Sequence, residues 1–257
     1  MKDYKGYIFD MDGVVYRGNT LIPGAVETLE SLKRRGKRLV FVSNNSTRAR
    51  DDYAERIREM GLPIEMDEVI PATYATARFL ADNYTEKRIF VVGALGLIKE
   101  LLRAELTLVD TPEKADILVT GSDPAINYQK LSQATSLLLK GKLWVTTNTD
   151  KLYPAEDRII PGTGAVVGAL QYITGRAPDV VIGKPSRHIM EQALKALGVE
   201  REDCLMVGDI IESDVLAGKN AGIDTALVLT GVTSREDVER SEIKPDYVLN
   251  SIKDLEG

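Results

Sequence analysis

One cysteine and one histidine are all that this 257-residue chain offers, and their scarcity removes several chemistries at once. A lone Cys204 excludes an internal disulfide and a thiolate metal cluster within one chain. It sits in Cys204-Leu205-Met206-Val207, which reads as a buried strand, so an inert core thiol is expected. A cysteine phosphatase would need an arginine six residues on, where Ile210 stands. His188 alone argues against histidine-based phosphatases and histidine-rich zinc sites. No apolar run approaches the roughly 18–20 residues that a membrane span requires, so no membrane partner is expected. The first residues, Met1 to Gly6, lead directly into a strand-like run; no cleavable signal peptide is apparent, and a cytoplasmic location is the expectation. Basic charge is also short. The formal net charge of −6 does not suit nucleic-acid binding, and Lys33-Arg34-Arg35 and the span Arg48 to Arg58 read as solvated helix faces.

What is present is a globular composition, 44% hydrophobic and 28% charged, arranged as alternating short apolar runs and amphipathic segments. Tyr7–Phe9, Ala25–Arg35, Leu39–Val42 and Ala49–Met60 read as strand, helix, strand and helix, with Ser46 or Thr47 placed to cap the second helix. A second alternating block runs from Arg88-Ile89-Phe90-Val91-Val92-Gly93 through Asp116–Thr120 to Leu143–Thr147. A third comprises Val180–Gly183, Cys204–Gly208, Thr225–Thr230 and Tyr247–Asn250. Such alternation predicts an α/β fold with parallel sheets. The residues with chemistry lie only in the first and third blocks. That distribution predicts a discontinuous core domain, 1–77 and 178–257, interrupted by an inserted α/β domain, 78–177. Gly93-Ala94-Leu95-Gly96 lacks the G-x-G-x-x-G spacing and is not read as a dinucleotide site.

Four stretches each follow a Val/Ile/Leu-rich run and are therefore expected at the carboxyl ends of strands, where open α/β sheets keep their chemistry. They are Asp10-Met11-Asp12-Gly13, Ser43-Asn44-Asn45, Gly183-Lys184-Pro185, and Gly208-Asp209 with Asp214. In extended chain Asp10 and Asp12 would point to one side. Asp10 is then a candidate nucleophile toward phosphorus and Asp12 a candidate general acid and base. Gly13 would permit a sharp turn and offer its N–H to a phosphate oxygen, while Ser43, Asn44 and Asn45 would add a neutral anion cradle. Lys184 would balance the carboxylates and the transferring oxygens. Asp209, with Asp10 and the carbonyl at Asp12, would suit Mg²⁺; Asp214 would hold a metal-bound water or orient Lys184. Each stretch alone also reads as ordinary turn or cap chemistry, and the argument lies in their coincidence.

Together these residues resemble the haloacid dehalogenase superfamily, with Asp10-x-Asp12, Ser43, Lys184, and Asp209 with Asp214 as its four motifs. Asp12-Gly13-Val14-Val15-Tyr16, the Asn44-Asn45 doublet and the long segment before Lys184 resemble the NagD and 4-nitrophenylphosphatase-like subfamily. The resemblance implies a Rossmann-like core, a large α/β cap, and a Mg²⁺-dependent phosphatase acting on a small phosphorylated metabolite through an aspartyl phosphate. It also implies that Asn148 and Asp150, in an Asn-Thr-Asp where Asn-Pro-Asp is more usual, contact substrate from the cap. A homodimer through cap surfaces is a common assembly of similar proteins. Two other readings share the scaffold: a phosphotransferase or phosphomutase, and a non-catalytic phospho-ligand sensor.

Overall fold

The computed structural model describes residues 1–154 and 159–256. Its backbone divides into two compact units. The first comprises Met1–Ser43, Tyr53–Ile70 and Lys184–Gly257; the second comprises Asn44–Asp52 and Pro71–Gly183.

The first unit is built on a six-stranded sheet in the order Tyr247–Leu249, Asp224–Val228, Cys204–Gly208, Gly6–Asp10, Arg38–Ser43, Val69–Pro71. Gly6–Asp10 is buried along its whole length because it is paired in parallel on both sides. From this strand the chain first builds outward to Arg38–Ser43 and later returns on the other flank with Cys204–Gly208. The order of strands therefore reverses at Gly6–Asp10, and a crevice opens at the carboxyl ends beside such a reversal. The core under this edge is aromatic: Tyr7 stacks on Phe9 at 6.0 Å and Phe9 on Phe41 at 5.6 Å between ring centroids. The helix Ala25–Arg34 buries Ala25, Thr28, Leu29 and Leu32, the near-heptad stripe expected of an amphipathic helix. The helix Arg187–Leu197 is capped by Ser186, whose hydroxyl accepts the His188 N–H, and buries Ile189, Met190, Ala193, Leu194 and Leu197.

The second unit has a parallel five-stranded sheet in the order Val180–Val181, Leu143–Thr146, Ile117–Thr120, Arg88–Val92, Thr107–Leu108. The run Val180–Gly183 differs from its expected place among the strands around the chemistry. It forms only the two-residue strand Val180–Val181, paired with Val145 and Thr146 in this second sheet. A short apolar run identifies a strand but not its neighbour, and here the neighbour belongs to the inserted segment. The first unit thus resumes at Lys184 itself. The expected cap at Ser46 or Thr47 also differs. The helix Arg50–Glu59 begins with the Arg50 N–H donated to Glu100 Oε1 at 2.7 Å, an anion at a helix start, while Ser46 Oγ accepts the Ser122 N–H at 2.9 Å. No helix among the described residues is long and apolar enough to cross a membrane.

Trp144, the chain's sole tryptophan, is fully buried in the second unit and its indole N–H donates to Thr120 Oγ1 at 2.9 Å. Replacing Thr120 with valine keeps the shape and strands that donor. Thr120→Val is expected to lower stability by about 1–3 kcal/mol, the cost of a buried unsatisfied donor. A shift in the urea midpoint followed by Trp144 fluorescence checks it; an unchanged midpoint contradicts the assignment.

Candidate active site

Asp10 ends the strand at the reversal point, and its parallel neighbours end at the same level, Phe9 lying opposite both Val207 and Phe41. That register carries Ser43 to the same carboxyl edge, as the last residue of its strand, and Asp209, one residue beyond the end of Cys204–Gly208. Lys184, only 3% exposed, donates to Asp10 Oδ1 in a short contact and to Asp214 Oδ1 at 2.7 Å. Asp214 arrives from a π-type helical turn, Ile211–Val215. Its second oxygen accepts the N–H groups of Asp209 and Ile210, each at 3.0 Å. Of the two roles left open for it, the contact made here is with Lys184.

Asp209 is enclosed by backbone. Its Oδ2 accepts the Val232 N–H at 2.7 Å. A Cβ at Gly13 would stand 2.6 Å from that oxygen and one at Gly231 only 1.9 Å, so both neighbours must be glycine for the chain to pass this close. Gly13 also adopts φ +85°, the left-handed region open to glycine at little cost. The Gly13 N–H, expected on a phosphate oxygen, donates instead to Tyr16 O at 2.7 Å and closes the turn after the strand.

Carboxylate oxygens of Asp10, Asp209 and Asp214 lie within 4.8 Å of one another. Three carboxylates and one ammonium sum to two negative charges, removed from most of the water that would screen them. Burial raises the Asp10 carboxyl to about 7 against the opposing pull of Lys184. Burial, reinforced by Asp214 and Asp10, raises Asp209 to about 8. Burial works against a charged Lys184, but Asp10 and Asp214 outweigh it and hold the ammonium protonated. One divalent cation would balance the same two charges. Asp209 Oδ1 is buried with no hydrogen-bond partner, the atom such an ion would take as a ligand. The residues present therefore fit a hard divalent cation.

Asp12 lies outside that cluster. The strand ends at Asp10, Asp12 forms an isolated bridge with Tyr16, and the N–H groups of Val15 and Tyr16 fold back onto Met11 O at 3.0 and 3.2 Å to close the turn that follows. Burial raises the pKa of the Asp12 carboxyl, and the Arg56 guanidinium and the Gly18 backbone N–H oppose the rise. Ser43 Oγ accepts a hydrogen bond from Tyr53 OH at 3.2 Å.

Asn44, Asn45, Asn148 and Asp150 meet one another in the second unit. Asn44 Nδ2 donates to both oxygens of Asp150 at 3.2 and 3.0 Å, and Asn148 Nδ2 donates to Asn44 O at 2.6 Å. Asn45 Nδ2 donates to Tyr153 OH at 2.8 Å, and its Oδ1 accepts the Thr47 N–H at 2.9 Å. Of the side-chain amides expected to form an anion cradle, that of Asn44 is turned to the Asp150 carboxylate, a strong acceptor, and that of Asn45 to the Tyr153 hydroxyl. Sequence reasoning missed Gly231 and Val232. The signal was available, since they follow the strand-like run Thr225–Thr230, where the same strand-end rule applies.

Residues 7–107 match the family model described as haloacid dehalogenase-like hydrolase, and residues 181–255 a second, HAD-hydrolase-like model. An acid sugar phosphatase of Staphylococcus saprophyticus is 36% identical over 99% of this chain and 98% of its own. Among solved structures, a p-nitrophenyl phosphatase from Archaeoglobus fulgidus is 49% identical with a TM-score of 0.93, covering 99% of this chain and 98% of its own. A glycerol phosphate phosphatase from Mycobacterium tuberculosis, solved with magnesium, is 30% identical with a TM-score of 0.92, covering 98% of this chain and 76% of its own. With these similarities along nearly its whole length, and with the acids and lysine of the first, third and fourth motifs assembled in its first unit, the chain belongs to the haloacid dehalogenase-like hydrolases, among the phosphatases of NagD and p-nitrophenylphosphatase type.

Proposed function

We propose that this chain hydrolyses small phosphomonoesters by transferring the phosphoryl group first to Asp10 and then to water, with the first unit as catalytic domain and the second as its cap. The observation that carries the reading is the Asp10 carboxylate at the strand reversal, bonded to a buried lysine and next to the partnerless oxygen of Asp209. An oxygen of Asp10 attacks phosphorus while the bond to the ester oxygen breaks, and Asp12 gives that oxygen its proton. Water then attacks the aspartyl phosphate, Asp12 takes the water's proton, and inorganic phosphate leaves with the Asp10 carboxylate restored. Lys184 and the Ser43 hydroxyl hold the transferring oxygens, and Asp214 holds Lys184 in line. Mg²⁺, held by Asp10, Asp209 and the Asp12 carbonyl, with Asp214 through a water, would supply positive charge to the phosphoryl oxygens. The names of the relatives favour sugar phosphates and glycerol phosphate as the substrate class.

Asp10→Asn keeps the shape of the side chain and removes the nucleophile. Phosphate release is expected to fall on the order of 10⁴-fold or more, the scale of losing a catalytic nucleophile. Acid quench of the unaltered protein should trap phosphate on the chain, and quench of the variant should not; undiminished turnover in the variant removes Asp10 from its role.

The raised carboxyls carry a pH signature. In the metal-free protein Asp10 and Asp209 hold protons up to about 7 and about 8, whereas an unfolded Asp releases its proton near 3.8. The folded state therefore binds more protons across that window, and metal-free stability falls as pH rises through it. Mg²⁺ needs the ionised carboxylates, so the gain in Tm at saturating Mg²⁺ should grow as pH is raised through 7 to 8. A gain independent of pH would contradict the assignment of these carboxylates as ligands.

A further inference from the structure

The hairpin formed by Tyr16–Arg17 and Thr20–Leu21 follows directly on Asp12, which bridges to Tyr16, and the backbone N–H of its turn residue Gly18 acts on the Asp12 carboxylate to favour its ionised form. A two-residue ribbon has little hold on its own geometry, because an isolated hairpin is marginal in water. Here it is tied from the side. Arg56, on the helix Arg50–Glu59, donates from one guanidinium nitrogen to Gly18 O at 2.9 Å and to Asn19 Oδ1 at 2.8 Å. The same guanidinium lies 5.4 Å from the centre of the Tyr16 ring. One turn earlier on that helix, Tyr53 OH meets Tyr16 OH at 2.7 Å and donates to Ser43 Oγ at 3.2 Å. A single helix face, Tyr53 and Arg56, therefore braces the hairpin and the Ser43 hydroxyl together.

Arg56 spends its donors on neutral acceptors, a carbonyl and an amide, rather than on a surface carboxylate. Among the charges that act on Asp12, the guanidinium of Arg56 is the largest and that of Arg17 is the lesser, Arg17 itself donating to the Thr230 carbonyl. Gly18 is thus gripped by its carbonyl from Arg56, in the turn of the hairpin that begins at Tyr16, the residue to which Asp12 bridges. Movement of the turn by an ångström would carry the carboxylate with it, and proton transfer tolerates little displacement.

We propose that Arg56 is a positioning residue for the proton transfer: it pins the Gly18–Asn19 turn so that Asp12 is aimed at the leaving oxygen. The inference rests on Asp12 being the acid of the preceding section.

Leaving-group dependence separates this role from a merely structural one. p-Nitrophenolate departs with little help from an acid, whereas the alkoxide of glycerol phosphate needs a proton. The ratio of kcat/KM for the two substrates reads the step up to formation of the aspartyl phosphate and is insensitive to later attack by water. Arg56→Met, which keeps the aliphatic stem over Tyr16, is expected to lower kcat/KM on glycerol phosphate about tenfold more than on p-nitrophenyl phosphate, a fraction of the roughly 10²–10⁴ that general acids supply. Arg56→Lys, retaining charge and one donor, should recover part of that ratio. A ratio unchanged within about threefold, whether both activities fall together or neither falls, overturns the inference. Asp12→Asn measured on the same pair is the control. If it shifts the ratio and Arg56→Met does not, only the positioning role fails; if it too leaves the ratio unchanged, the assignment of Asp12 as the acid fails.

Discussion

A lysine ammonium enclosed between two aspartates, with a third aspartate alongside, is the constraint around which the first unit is organised. Lys184 and Asp214 are almost wholly buried, and Asp209 equally so. Charges in such a place must be matched by partners, because each costs several kcal/mol to remove from water. Lys184 matches two of the carboxylates and leaves a residual double negative charge. Burial is what chiefly raises Asp10 and Asp209, with the neighbouring carboxylates adding to it, and the double negative charge that their ionisation would leave is what makes the cluster receptive to a divalent cation.

The surrounding backbone is shaped to keep that balance. Asp214 spends one oxygen on Lys184 and the other on two successive N–H groups, three donors in all. Asp209 receives the Val232 N–H on one oxygen only. The two aspartates therefore divide the work: one is saturated by the protein and anchors the lysine, and the other retains a lone oxygen. Gly13 and Gly231 permit this by letting two chain segments close over Asp209 without side chains. Asp12, outside the cluster, answers to a different set of groups: a backbone N–H, a tyrosine-lined helix face and an arginine. Two carboxylates two residues apart can have separate environments because the strand ends between them.

The second unit shows the same economy of polar groups on a separate scaffold. The segment Asn44–Asp52 is bonded to residues of the inserted segment: Asn44 to Asp150 and Asn148, Asn45 to Tyr153, Ser46 to Thr163 at 3.1 Å, and Arg50 to Glu100. Lys99 and Arg103 add ion pairs to Asp52 and Asp51 at 3.0 and 2.5 Å. The chain thus steps out of the first unit after Ser43, rejoins it from Tyr53 to Ile70, and leaves it again at Pro71.

The sequence by itself determined the parallel α/β class, the strands that end in Asp10, Ser43 and Gly208, and the identity of the four charged residues that meet. Each of these is written locally: runs of Val, Ile, Leu and Phe select buried strands, and a polar residue after such a run falls at the carboxyl edge. Only the tertiary structure decided which sheet Val180–Val181 joins, how far Asp12 turns from Asp10, and which partners occupy the amides of Asn44 and Asn45. It also decided that Gly231 and Val232 close over Asp209, that Tyr53 bonds to Ser43, and that Arg56 bonds to the Gly18–Asn19 turn. The physical reason is that strand pairing and the hydrogen bonds of buried side chains are chosen by the nearest available partner in space. That partner can be 174 residues away, as Lys184 is from Asp10, and no period or motif in the intervening sequence records it.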